Sequence, residues 1–114
     1  FFPPYSAVQY AEFQHANLLN DFLRFRLFVF DAVRELPNAK LYDFQSVGHI
    51  VQDLDRYRDP LHYGPTTTQW MADQFKQETH LLTSKNFEER QRTILDLAAQ
   101  YSTVWQDYKA YCTD

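Results

Sequence analysis

The sequence predicts an α/β fold, mostly helical, with one or two short parallel strands, and three observations carry that expectation. The chain opens on two large apolar residues, Phe1 and Phe2, followed by Pro3 and Pro4, which hold the backbone extended and remove donors. From Ser6 to Leu36 there is no Gly or Pro, and apolar residues recur at spacings of three and four. After Pro37 comes "AKLYDF", in which Leu41, Tyr42 and Phe44 suit a short strand. Strand end, helix and strand read as a right-handed crossover, the connection that parallel strands require. Because parallel sheets are larger than two strands and covered on both faces, further strands are expected upstream of Phe1.

The first helical stretch places Val8, Ala11, Leu18, Leu19, Phe22, Leu23, Phe25, Val29, Phe30, Val33 and Leu36 inward, with a break expected near His15 to Asn17. "SVGHIVQDLDRY" suits a short helical turn with Val47, Ile50, Val51 and Leu54 inward. Gly64 followed by Pro65 reads as an N-cap with proline at the first helical position, opening a helix that buries Trp70, Met71 and Phe75. Asn86 lies three residues before Glu89, a capping-box spacing with asparagine in the cap place. Beyond it, Ile94, Leu97, Tyr101, Val104, Tyr108 and Tyr111 form a stripe that either docks on its own domain or pairs with a partner. The expected organisation is residues 1–83 as the main body and 84–114 as a long terminal helix packed on the same domain.

Composition removes several function classes. A chain of 114 residues with 45% hydrophobic content can bury one core. Two glycines are too few for a Gly-rich phosphate loop. The net charge of −4, with basic residues dispersed among acids, gives no nucleic-acid surface. One cysteine, Cys112, excludes an internal disulfide and a Cys-based zinc site, and none of the four histidines has metal-ligand spacing. No metal and no cofactor is expected. The only methionine is Met71 and the chain opens on Phe1, which reads as a piece of a longer product.

One segment concentrates chemistry: "RYRDPLHYGP", Arg56 to Pro65. A carboxylate three residues before a histidine, on a loop stiffened by Pro60, can turn back and orient the imidazole, so Asp59 and His62 suit the acid and base of a catalytic triad. The loop lies after a predicted strand and before a helix, where open α/β sheets gather their functional residues. Tyr57 and Tyr63 flank it and suit stacking on sugar rings.

"FFPPYS", the long helix, "LYDF" and "DLDRYRDPLHYGPTTTQWMADQF" together resemble the C-terminal half of SGNH (GDSL-like) hydrolase-fold proteins, in the branch that modifies cell-surface polysaccharide by O-acetylation or D-alanylation. The resemblance implies a three-layer α/β/α fold and a serine esterase or acyltransferase acting outside the cytoplasm, at the periplasm or cell surface. It implies that Asp59 and His62 complete a triad whose serine lies in a missing N-terminal part, with acylated cell-surface polysaccharide as substrate and a membrane-bound O-acyltransferase as partner. The chain itself holds no Gly-Asp-Ser block, and Ser6 lacks any nucleophile context. Two readings from other classes stand beside it: a noncatalytic helical protein-interaction module, and a catalytically inactive carbohydrate-binding scaffold of the same fold.

Overall fold

The computed structural model describes residues 1–113, and six α-helices account for most of them. In chain order these are α1 (Ala7–His15), α2 (Leu19–Arg34), α3 (Gly48–Val51), α4 (Pro65–Gln77), α5 (Phe87–Gln100) and α6 (Ser102–Thr113), with a 3₁₀ turn at Leu54–Arg56. The long helical stretch divides where the periodicity weakens. Asn17 adopts a left-handed backbone (φ 59°), and its neighbour's amide, that of Leu18, bonds back to the Phe13 carbonyl at 2.8 Å. Asparagine tolerates that conformation better than most residues, so α1 stops and α2 starts in a new direction.

The core forms where α1 meets α5. Alanines at Ala7, Ala11 and Ala98 are fully buried and let the two backbones approach, while Tyr10, Ile94 and Leu97 fill the space beside them. A second cluster joins Phe2, Phe30, Leu41 and Leu82, so the inner face of α2 spans both. On the far side, Phe44 is fully buried with the rings of Trp70 and Phe75 each 5.3 Å from its centroid, which seats α4.

The expected α/β architecture is not found. Among the described residues there is no β-strand, only isolated bridges: Phe2 with Asp43 (parallel), Tyr42 with Leu81 and Tyr57 with Tyr63 (both antiparallel). The physical reason is local. Phe2 exchanges its two backbone bonds with Tyr42 and Phe44, at 2.9 and 3.1 Å, and the ladder then ends because Pro3 and Pro4 cannot donate. Apolar content that suggested strands instead fills gaps between helices. The fold class, the three-layer SGNH-like expectation and the resemblance to that hydrolase fold are therefore corrected to a helical assembly.

Other departures are smaller. Leu18, Phe25, Leu36 and Leu54, expected inward, are exposed. Asn86 caps no amide of α5 with its side chain; it accepts from the Thr83 amide and donates to the Leu81 carbonyl, both at 2.9 Å, tying the α4–α5 connection. The terminal stripe breaks at Tyr101: Ile94 and Leu97 are buried, while Val104, Tyr108 and Tyr111 are exposed on α6.

Candidate functional site

Residues 56–64 form a small closed loop. The Arg58 amide bonds to the His62 carbonyl at 2.8 Å and the Gly64 amide to the Arg56 carbonyl at 3.0 Å, bracketing the Tyr57–Tyr63 bridge. Gly64 is the N-cap and Pro65 the first helical residue of α4, so the loop runs directly into a helix. Its outer turn docks on the start of α1, where the Ser6 amide donates to the Pro60 carbonyl at 2.9 Å, and the Tyr57 hydroxyl donates to the Pro4 carbonyl at 2.9 Å.

Within this loop Asp59 organises everything around it. Its Oδ1 accepts from the Leu61 amide at 2.9 Å and the His62 amide at 3.0 Å, and His62 Nδ1 lies 2.8 Å from both carboxylate oxygens. The Leu61 amide, then the His62 ring and amide, hold the Asp59 carboxyl below its ordinary value. The pair sits in water: the His62 side chain is 72% exposed. Among the described residues, His62 Nε2 has no side-chain hydrogen-bond partner.

The four residues singled out in the sequence divide between two depressions. His62 and Tyr63 line an open groove of about 330 Å³ with Pro3, Tyr5 and Leu61. Tyr57 and Asp59 line a smaller one of about 180 Å³, bordered by Val104 and Tyr108 of α6. Burial pushes the hydroxyls of Tyr57 and Tyr63 up, so both remain neutral donors. Ser6 borders the smaller cavity with its Oγ buried and unpartnered.

The esterase or acyltransferase reading is overturned by what surrounds this pair. With no sheet among the described residues, no scaffold carries the triad at strand ends. The loop follows a 3₁₀ turn instead of a strand. Among the described residues there is also no group of three or more His, Cys, Asp or Glu side chains arranged to hold a metal. The Asp59–His62 contact is an aspartate closing its own turn, the ordinary behaviour of Asp in loops.

Two features escaped the sequence reading. One is a buried polar centre beneath α2. The Arg26 guanidinium, fully buried, clamps Asp43 with bonds of 3.0 and 2.8 Å and also donates to Gln45 and Gln91. Burial alone would push the Asp43 carboxyl up, but bonds and charge from Arg26, a bond from Ser46 and the charge of Arg90 hold it below its ordinary value. Tyr10 joins through a 2.7 Å bond to the Gln45 carbonyl. Its signal was available: Arg26 stands four residues from both Phe22 and Phe30, inside the apolar stripe.

The other is the outward face of α2. Leu19, Arg26 and Phe30 turn inward, which leaves Phe28 and Phe25 outward, 71% and 58% exposed, with Leu18 and Leu36 exposed at either end. A scan against protein-family models finds no match, and searches of curated proteins and of solved structures find none either.

Proposed function

We propose that this chain is a noncatalytic helical protein-interaction module whose contact surface is the outward face of α2. The observation that carries this reading is the pair Phe25 and Phe28, one turn apart on a well-anchored helix and both mostly in water. Scattered exposed apolar residues are ordinary, but two phenylalanines one turn apart on one helix face, with Leu18 and Leu36 exposed just beyond its two ends, make an apolar patch of the kind that docks against protein. The helix beneath is anchored by the Arg26 centre, which lowers the backbone ordering cost of binding.

The geometry favours α2 over the terminal stripe as the contact surface. Val104 and Tyr108 of α6 line a depression shared with the Asp59 loop and are partly covered there, while Tyr111 projects into water. Site-specific photo-cross-linking tests the assignment. With a benzophenone side chain placed at position 28, and separately at position 111, in cells expressing the full chain, discrete adducts are expected from position 28. No adduct from 28, or adducts from 111 alone, overturns the reading.

A further inference from the structure

We propose that a second copy of this chain docks on α2, the two helices running antiparallel with Phe25 of each packed on Phe28 of the other; this rests on the reading of α2 as an interaction face. The charge pattern beside the stripe selects that occupant. If Phe25 and Phe28 take the a and d places of a heptad, Arg24 and Asp31 both fall at g, on the same flank of the seam. In an antiparallel pair the g positions of the two helices face each other, so Arg24 of each copy lies across from Asp31 of the other. The surface is its own complement, as a two-fold interface requires.

The alternative orientation lacks this match. Side by side and parallel, the two helices would bring Asp21 against Asp21 and leave Arg24 facing Val29, with no charge partner across the seam. Within one chain, Arg24 already contacts Asp21, and Arg34 contacts Asp31 at 3.1 Å. Antiparallel docking therefore inserts each Arg24 between two carboxylates and each Asp31 between two guanidinium groups. Alternating charges of this kind fix register and orientation more than they add affinity.

The association is weak by its size. A phenylalanine buries about 150–250 Å², so four rings at these exposures remove roughly 350–700 Å² from water, below the ~1,200 Å² where stable interfaces begin. An interface this small belongs with weak, transient encounters, so self-association is expected only at high concentration, up to about 1 mM.

Sedimentation equilibrium on the full chain tests this with charge reversals at two exposed positions. The wild type self-associates in that range. Arg24→Asp and Asp31→Arg each weaken association about tenfold or more, because each places like charges across the seam twice. An equimolar mixture of the two variants associates again as a heterodimer, and the double variant recovers self-association. The mixture also controls for intrahelical effects, since each chain keeps its own substitution.

A monomeric wild type at about 1 mM overturns the proposal, as do single reversals without effect or a mixture that stays monomeric. If the wild type is monomeric while position 28 still cross-links to a different protein, the second copy is excluded and the interaction face stands. If the wild type is monomeric and position 28 gives no adduct, both readings fall.

Discussion

Replacing Arg26 with alanine is expected to cost about 3–5 kcal/mol of folding stability, measured by urea denaturation, because it leaves Asp43 as an uncompensated buried carboxylate. Gln45 and Gln91 lose a partner in the same step, and the stacking of the guanidinium on the Phe2 ring, 4.7 Å from its centroid, goes as well. Total stabilities of domains this size lie near 5–15 kcal/mol, so the variant stands at the margin of folding. Arg26→Met combined with Asp43→Leu is expected to be far less damaging than the sum of the two changes, because removing both charges together removes the desolvation penalty with them.

The same pair sets a pH dependence. A carboxyl whose folded value lies below its unfolded value binds more protons when unfolded, so stability rises with pH across that window. For Asp43 the contribution is complete above its ordinary value of 3.8 and is lost as pH falls through the lowered folded value. Asp43→Asn is expected to flatten that acid limb, at lower stability throughout.

The second large effect is Ile94→Ala, expected to cost about 2–5 kcal/mol from lost transfer energy and the cavity left between α5 and α1. Ile94 is fully buried among Tyr10, Leu97 and Ala98, whereas its neighbour Leu95 is 41% exposed. Leu95→Ala is therefore expected to stay within about 0.5 kcal/mol by the same denaturation measurement. Equal losses at the two positions would mean that α5 is rotated from the orientation described.

Helices were legible because their signal is periodic and local. The break before α2, the Gly64–Pro65 start of α4 and the inward set Val47, Ile50 and Val51 all follow from spacing and backbone chemistry. The sheet was misread because Phe1–Phe2 and the Leu41–Phe44 segment have strand composition, and composition cannot say how long a ladder runs. Here it runs for a single pair before the prolines end it. Once a sheet was assumed, the Asp59–His62 spacing acquired a catalytic context that the helical assembly does not provide.

The candidate surfaces show the complementary failure. Sequence spacing places Phe25 in the core because the unbroken three-four stripe through α2 runs wider than the face the helix buries. The inner face is narrower, since Arg26 occupies its centre and recruits Asp43, Gln45 and Gln91 from distant parts of the chain. Its place between Phe22 and Phe30 was a local sign that Arg26 turns inward, but no local pattern shows which distant acceptor atoms it recruits. Once Arg26 turns inward, the helix period alone sends Phe28 out.

That Phe25 and Phe28 of α2 form the face on which a second copy of this chain docks can be read from aromatic ¹H–¹³C spectra recorded across a dilution series. Ring signals of Phe25 and Phe28 are expected to shift with concentration while those of Phe44, sealed in the core, and Tyr111, exposed on α6, stay fixed. Concentration-dependent shifts confined to Tyr108 and Tyr111, with Phe25 and Phe28 unmoved, would contradict it.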